Sequence, residues 1–444
     1  MSSFTKSRRE FLKKGATVGA SLPLVLSANS YASILGANDR LNVAVVGVNG
    51  RGKALLQAAS LLENTRITHI CDVDSRALES GLKLAQEKTG KAAKGIKDYR
   101  KLLENKNLDA VLIATPDFWH APMAIMAARA GKHVYVEKPC SHNPHEGELL
   151  IKTQLDTNRV IQMGNQQRSA RTSMEAIQMI REGVIGRAYY GKSWYANTRG
   201  PIGRGKVADV PKWLDYELWQ GPVPRRPFKD NLIHYNWHWF WHYGTGETCN
   251  NATHELDICR WALDVDYPTR VTSSGGRYHY DDDWEFYDTQ NVSFEYGGGK
   301  TITWEGLSCN GLSRYNRGRG AIIQGTEGSI LLDRNGYIHY DKKGKVIKEV
   351  KEKVKSATTD TVGAGGLDGY HMQNFADAIR KGVQQRSPID EGHKSVLMCH
   401  LGNIAQRMET SLRLDPTNGH ILDNPAAMRL WSREYEPGWE PKTW

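Results

Sequence analysis

The turn between residues 47 and 52 has the residue types needed to hold a phosphate group. It reads Gly47-Val48-Asn49-Gly50-Arg51-Gly52 and follows an apolar run, 41–46, whose valines are typical of a buried parallel strand. Backbone N–H groups of such a turn can point at a phosphate, and the positive end of a following helix adds to the attraction. A second apolar run ends in Asp72, 20 residues after Gly52, where a carboxylate can accept both ribose hydroxyls of an adenosine. This order predicts a dinucleotide site that uses Gly47, Asn49, Gly50, Arg51, Gly52 and Asp72.

The turn departs from the usual dinucleotide fingerprint at one position. Asn49 stands where the second glycine belongs, so close approach of a pyrophosphate would depend on Gly50 or on Asn49 in a left-handed conformation. The alternative is a structural strand–helix–strand unit whose glycines only fit the backbone. A carboxylate at Asp72 would repel a 2′-phosphate, which favours NAD over NADP, although Arg76 could weaken that preference.

Two later strands end in polar residues. The run 108–114 is followed by Thr115 and Pro116, with His120 just beyond, and the run 133–136 is followed by Glu137 and Lys138. Because the carboxyl ends of parallel strands meet at one edge of a sheet, we expect these five residues to lie near the dinucleotide.

A third group of polar residues lies on a helix predicted after residue 250. On that helix Asn250, His254 and Asp257 would share one face. An imidazole can take up a proton, whereas an asparagine can hold a hydroxyl but cannot accept its proton. Glu247 is close enough in sequence to serve as a substitute acid–base group. The alternative for His254 is a buried histidine bonded to a backbone carbonyl.

Aromatic residues cluster just before this helix. Five of the thirteen tryptophans fall between positions 213 and 241, where they can form core or a platform for the apolar face of a sugar ring. From this cluster we select His234, His238 and Trp239 as predicted substrate contacts.

The elements that must position these residues form two predicted domains. Alternating strands and helices over residues 40–165 predict a doubly wound, parallel Rossmann-type sheet. Short strands with alternating polarity recur from about residue 187, and two helices follow at 370–380 and 393–409, the second packing back on the first domain. We therefore expect an α+β domain with an open, mostly antiparallel sheet over residues 166–413, and a tail over 414–444.

The motifs VVGVNGRG, CDVD, ATPDFWHAPMA and above all VYVEKP resemble those of the glucose–fructose oxidoreductase/inositol dehydrogenase/MocA (Gfo/Idh/MocA) family. The resemblance implies bound NAD, a small carbohydrate or polyol substrate, and a homo-oligomer. It places Lys138 beside the nicotinamide and the sugar, and it matches His254 to the family's histidine. Asn250 stands where the family usually has an acid, so the role of base would fall to His254.

The N-terminus and the composition limit the remaining possibilities. The sequence SRREFLK at 7–13, an apolar run and a small-residue site near position 32 predict a twin-arginine signal peptide over residues 1–33 and export to the periplasm. The apolar run is too short for a stable membrane anchor after cleavage. The net charge of +10, of which +4 lies in residues 1–33, does not favour nucleic acid, and the six cysteines show no metal-binding spacing.

Export also restricts the predicted chemistry. An oxidoreductase outside the cytoplasm lacks a supply of free NAD, so its cofactor should stay bound and return to its starting state in every cycle. This could occur by oxidising one sugar and reducing another, or by transient oxidation at C3 of a glycoside followed by elimination, addition of water and re-reduction. A non-catalytic sugar-binding protein on the same fold is the third possibility.

Overall fold

The computed structural model describes residues 40–353 and 365–441, and the predicted signal peptide lies outside these ranges. The first sheet is fully parallel, with the strand order β3-β2-β1-β4-β5-β6. Its strands are β1 (Leu41–Val46), β2 (Thr65–Cys71), β3 (Lys94–Ile96), β4 (Ala110–Ile113), β5 (His133–Val136) and β6 (Ile161–Met163). The helices of this part are α1 (Arg51–Ser60), α2 (Ser75–Thr89), α3 (Tyr99–Leu103), α4 (Asp117–Arg129), α5 (Pro144–Thr157) and α6 (Arg171–Arg181).

The second part of the chain contains a sheet of ten strands and five α-helices within the described residues. Its order is β14-β13-β12-β11-β7-β10-β9-β8-β15-β16, and all neighbouring pairs are antiparallel except β7 with β10. The strands are β7 (Ala188–Ala196), β8 (Arg270–Gly276), β9 (Thr289–Tyr296), β10 (Lys300–Leu307), β11 (Arg319–Gly325), β12 (Gly328–Asp333), β13 (Gly336–Asp341), β14 (Val346–Lys351), β15 (Leu412–Leu414) and β16 (Ile421–Leu422). The helices are α7 (Tyr216–Gln220), α8 (Thr253–Leu263), α9 (Gly366–Lys381), α10 (Ile389–Arg407) and α11 (Pro425–Met428). The predicted fold class is confirmed.

The two sheets are joined by helices that return to the first domain. Met372 and Phe375 of α9 belong to the same core as Tyr135, and Ile389 and Val396 of α10 belong to the core on the other face of the parallel sheet. The segment after Leu414 contributes the edge strand β16 to the ten-stranded sheet. None of the described helices is long and apolar enough to cross a bilayer.

The capping residues of α2 explain why its start differs from the start predicted from the apolar pattern. α2 begins at Ser75 because the Asp74 carboxylate accepts the N–H groups of Arg76 and Ala77, and it ends before the left-handed Gly90. The apolar pattern alone places the start three residues later, at Leu78. Helix α6 was not predicted.

Candidate active site

One cleft of about 580 Å³ receives residues from both domains. Its first wall holds the glycine turn and the ends of β2, β4 and β5. Its second wall holds the segment 213–243, the start of α8, the start of β11 and the turn between β12 and β13. The geometry therefore brings together the three groups of residues that the sequence predicts separately.

The glycine turn is shaped for a phosphate group. A Cβ on Gly52 would lie 1.8 Å from the Gly47 carbonyl oxygen, and Gly47 has a φ of +80°, so both positions require glycine. Asn49 is not left-handed, while Gly50 has φ −128° and ψ −100°. No side chain caps the N-terminus of α1 and its first turn holds no acid, so its free N–H groups can bind an anion. These features fit the pyrophosphate of a dinucleotide.

Asp72 lines the cleft at the end of β2, as expected for a ribose contact. Its carboxylate accepts the backbone N–H groups of Val48 (2.7 Å) and Asp74 (2.9 Å), which fix it against the glycine turn. Burial raises the pKa of Asp72, and these two bonds oppose that rise. Arg76 does not line the cleft, because it binds Asp74 (3.0 Å) and lies 3.4 Å over the Trp213 ring.

Lys138 and His254 both line the cleft. The Lys138 ammonium donates to the backbone carbonyl of Asn250 (2.5 Å) and to its side-chain oxygen (3.1 Å). Burial lowers the pKa of Lys138, although the carboxylates of Asp117 and Glu137 oppose the shift. Asn250 thus links the lysine to the chain segment that carries the histidine, one helical turn later.

His254 is held neutral and has free ring nitrogens. It is buried, and the described parts of the chain offer its ring no hydrogen-bond partner. Burial, and then the charges of Arg334, Lys138 and Arg319, keep its pKa well below the ordinary value. A neutral imidazole facing a cleft can accept a proton from a ligand. The alternative of a histidine bonded to a backbone carbonyl does not describe this geometry.

Glu137 lies at the end of β5 and joins the two domains. Its carboxylate accepts from Arg51 (2.8 Å) and from Gln166 (3.1 Å), and Arg51 also pairs with Asp368 at the start of α9. Glu137 and Arg51 both line the cleft, where the guanidinium stands beside the glycine turn.

Thr115, Pro116 and His120 also line the cleft. The ring nitrogens of His120 contact the carbonyl oxygens of Pro139 (2.6 Å) and Thr115 (2.8 Å). The histidine therefore ties the end of β4 to the segment after Lys138, and Thr115 and Pro116 are left as the cofactor-facing residues of this group.

Two predicted substrate residues are placed elsewhere. Asp257 does not line the cleft, since its carboxylate pairs with buried Arg168 (2.8 and 2.9 Å) and accepts from Ser395 (2.6 Å). The helix opens with a π-helical turn at Thr248–Ala252, so Asn250 and His254 face the cleft without Asp257. Trp239 is buried and stacks on Trp284 at 3.9 Å.

Glu247 is not available as a substitute base. Its carboxylate binds Arg199 (2.6 Å) and accepts from Ser308 (3.0 Å) and Asn251. Burial would raise the pKa of Glu247, but the charge and hydrogen bonds of Arg199 lower it overall. The carboxylate therefore fixes the wall of the cleft and is not part of its lining.

The other predicted substrate residues do line the cleft. His234 bonds through Nε2 to the Asp74 carboxylate (2.8 Å). His238 donates from Nδ1 to the Tyr235 carbonyl (2.6 Å), because a carbonyl oxygen only accepts, and burial lowers its pKa to about 3. The Trp237 ring stacks on the His238 ring, with 3.6 Å between the ring centroids. Trp237, and not the predicted Trp239, lines the cleft.

Residues 213–243, which we call the strap, pass from the second domain across the end of β2. Ser75 N–H donates to the Trp213 carbonyl (2.9 Å), and Asp215 N–H donates to the Val73 carbonyl (3.0 Å). The His234 bond to Asp74 adds a third link further along the strap. These contacts hold the strap against residues 73–75, directly after Asp72.

Several polar residues in the cleft were not predicted from the sequence. Tyr195 and Arg199 come from the end of β7 and beyond, Arg319 opens β11, and Arg334 stands in the turn between β12 and β13. Arginines at strand ends and in hairpin turns are common on protein surfaces, so their types and spacing contain no signal for a buried site. In the described part of the chain, no group of three or more His, Cys, Asp or Glu side chains could hold a metal ion.

Comparisons with known proteins agree with the fold. The curated relatives include "Glycosyl hydrolase family 109 protein 2" of Shewanella sp. (strain ANA-3), 33% identical over 207 residues, and an "Alpha-N-acetylgalactosaminidase" of Shewanella oneidensis, 30% identical over 208 residues. Each match covers 42% of this chain and 45% of the relative, so the chain spans less than half the length of these proteins.

Solved structures cover more of the chain at lower identity. A levoglucosan dehydrogenase in complex with NADH and levoglucosan has a TM-score of 0.64, 19% identity, and coverage of 84% of this chain and 99% of that one. An aldose–aldose oxidoreductase from Caulobacter crescentus has a TM-score of 0.62, 17% identity, and coverage of 84% and 100%. At these identities the likeness concerns the fold.

Two family profiles match successive parts of the chain. Residues 41–165 match the profile described as "Oxidoreductase family, NAD-binding Rossmann fold", and residues 188–440 match "Oxidoreductase family, C-terminal alpha/beta domain". The matches cover well over half of the sequence and agree with the two sheets described above, and the protein is accordingly a member of the Gfo/Idh/MocA oxidoreductase family.

Proposed function

We propose that this protein uses NAD to oxidise a hydroxyl group of a sugar, polyol or glycoside. The observation that supports this most directly is the presence of Lys138 and His254 in the same cleft as the glycine turn. An amine and a neutral imidazole that share a cleft with a nucleotide can act on one hydroxyl group, whereas side chains in separate cavities could not.

The two side chains would divide the chemistry between them. When bound in this cleft, NAD would supply a hydride acceptor for the ring carbon that bears the hydroxyl group. His254 would take the hydroxyl proton, since its ring is neutral and has no hydrogen-bond partner in the described chain. Lys138, held by Asn250, would orient the hydroxyl oxygen and stabilise the negative charge that develops there.

We expect the protein to use NAD in preference to NADP. The carboxylate of Asp72 would face a 2′-phosphate of NADP, and the nearby Arg76 is already bound to Asp74 and Trp213. Arg76 is therefore not free to offset that repulsion. Lys97 and Arg100 also line the cleft, where they pair with Asp215 (3.6 Å) and Asp98 (2.7 Å).

The strap supports a cofactor that stays bound through the catalytic cycle. In this proposal the strap covers the adenosine, and its three links to residues 73–75 slow the release of the nucleotide. A retained cofactor must be restored in each turnover, by reducing a second sugar or by re-reducing the product. We also propose twin-arginine export to the periplasm, which would make such retention necessary, and assembly as a homo-oligomer.

A glycosidase is the second candidate. In this reaction, oxidation at C3 acidifies the C2 proton, the glycosidic group is eliminated, water adds, and re-reduction restores the sugar and NAD. The curated relatives named as family 109 glycosyl hydrolases favour this alternative. A sugar-binding protein without activity is the third, and the free nitrogens of His254 argue against it.

Mass spectrometry of nucleotide released from the folded, gently purified protein would test the proposal. We expect about one NAD per chain, which becomes reduced when a substrate sugar is added without external cofactor. Release of the aglycone from aryl glycosides under the same conditions would identify the glycosidase. Protein that carries no nucleotide would exclude a retained cofactor. Bound NAD that no sugar reduces, together with no cleavage of aryl glycosides, would favour the binding protein.

A further inference from the structure

Arg334 is presented to the cleft by a fixed turn. It stands between β12 and β13 and lines the same cleft as His254. The carboxylate of Asp333 accepts from Asn335 N–H (2.7 Å) and from Arg317 Nε (2.6 Å), so both sides of the turn are held. The position of the guanidinium is therefore a property of the folded hairpin.

The neighbouring cations in the cleft already have carboxylate partners. Arg51 binds Glu137 (2.8 Å) and also pairs with Asp368. Arg319 binds both oxygens of Glu255, at 2.7 and 3.1 Å. The carboxylates closest to Arg334 are thus engaged by other guanidinium groups.

Arg334 itself makes no hydrogen bond or ion pair within residues 40–353 and 365–441. Burial, and then the like charge of Arg319, lower its pKa to about 9, so the guanidinium is still charged at neutral pH. A partly buried charge without a partner is unfavourable in the free protein and becomes favourable when an anion binds.

Arg334 and His254 line the same cleft, and among the charged groups around His254, Arg334 has the largest effect on the pKa of that imidazole. Arg51, at the start of α1, also acts on the pKa of Arg334. The glycine turn and the open N-terminus of α1 already provide for the pyrophosphate of the nucleotide. An anion at Arg334 would therefore belong to the substrate.

We propose that the substrate carries an anionic substituent, a carboxylate or a phosphate ester, which Arg334 binds through two parallel N–H donors. The proposal rests on the proposed function, because it assumes that the ligand beside His254 is a carbohydrate. A planar guanidinium matches two anion oxygens, whereas a neutral hydroxymethyl group offers a single weaker acceptor. The preferred substrate would then be an acidic or phosphorylated sugar.

Equilibrium binding to the NAD-loaded protein tests this without requiring turnover. The probes are methyl glucoside, methyl glucuronide and glucose 6-phosphate, measured by calorimetry at constant ionic strength, with NAD affinity measured in parallel. We expect one of the two anionic sugars to bind at least about tenfold more tightly than methyl glucoside, and R334Q to remove that preference. R334K should keep part of it, because a lysine retains the charge and loses the paired donors.

K342Q is the matched control. Lys342 begins the next turn of the same region of sheet and pairs with Glu327 on the surface (3.1 Å), so its loss removes the same charge outside the cleft. The anionic preference should survive in K342Q. In the unaltered protein, tighter binding of the glucuronide would identify a carboxylate as the anion, and tighter binding of glucose 6-phosphate would identify a phosphate ester.

Three results would overturn the proposal. The first is equal binding of neutral and anionic sugars by the unaltered protein. The second is an anionic preference that persists in R334Q or disappears equally in K342Q. The third is weaker NAD binding in R334Q with unchanged sugar preference, which would assign Arg334 to the cofactor. An Arg334-dependent preference without reduction of NAD by any sugar would leave the anion site standing and reject the proposed oxidation.

Discussion

Breaking the link between the strap and the end of β2 should release the cofactor faster. The perturbation is H234A, which removes the imidazole that bonds to the Asp74 carboxylate at 2.8 Å. Asp74 is buried to 1% exposure but keeps its bonds from Arg76 and from two backbone N–H groups, so the variant should still fold. The expected change is confined to closure of the cleft.

The size of the effect follows from the one bond that is lost. A hydrogen bond to a charged group contributes about 1.5–3 kcal/mol, and we take the lower end because the His234 side chain is 25% exposed. A loss of about 1.5 kcal/mol from the closed state corresponds to roughly tenfold faster release of NAD. W213A should have a smaller effect, because Arg76, which lies over that ring, is 56% exposed.

Release can be followed by loading the protein with NADH, adding an excess of NAD, and recording the decay of nicotinamide fluorescence. H279A is the control, since His279 is an exposed histidine outside the cleft. The rings of Trp213 and His234 are 5.6 Å apart, so the double variant should show less than the product of the single effects. Unchanged release in both H234A and W213A would show that the strap does not retain the nucleotide, and the argument for a recycled cofactor would lose its structural support.

Three further predictions concern the proton-transfer pair and the core beneath it. K138M and H254Q should each lower kcat by about 10²–10⁴-fold without lowering the nucleotide content measured by mass spectrometry, and full activity in either would reject its assigned role. Activity should persist when pH falls from 7 to 6, because the pKa of His254 lies well below 6.5 and the base stays neutral. Activity should decline on the alkaline side before the ordinary lysine pKa of 10.5, because the pKa of Lys138 is lowered. A pH–rate profile checks both limbs. D257N should lower the free energy of unfolding by less than the roughly 3–5 kcal/mol expected for an unpaired buried charge, because Arg168 then faces a neutral amide but keeps Glu391 at 3.3 Å. A denaturant titration that shows no loss would contradict the ion-pair assignment.

The sequence predicted the parts of the site that depend on local rules. The glycine turn, Asp72, Thr115 and Lys138 all follow strands, and the carboxyl ends of parallel strands must meet at one edge. The strand-end residues could be found because the backbone pattern alone determines their direction. Asn250 and His254 were also predicted to share one face and both line the cleft, although Asn250 lies in a π-helical turn that helical spacing does not predict.

Residues whose position depends on distant partners could not be found in this way. Helical spacing puts Asp257 near the face of His254, but it contains no information about Arg168, 89 residues earlier, which binds the carboxylate. Trp237 and Trp239 are equally aromatic, and only their packing in a short 3₁₀ turn decides which one lines the cleft and which one stacks on Trp284. Tertiary contacts, and not residue type, made these choices.

The asparagine at position 250 gives the pair Lys138 and His254 its particular electrostatic character. An acid at that position would place a full negative charge within hydrogen-bond distance of the ammonium and would raise its pKa. Asn250 instead offers two neutral carbonyl oxygens, so the lysine is positioned while its pKa remains lowered. Burial of His254, and then the positive charges of Arg334 and Lys138, keep the pKa of its ring low. The departure from the family pattern therefore favours a division of roles, in which the imidazole accepts the proton and the amine holds the oxygen.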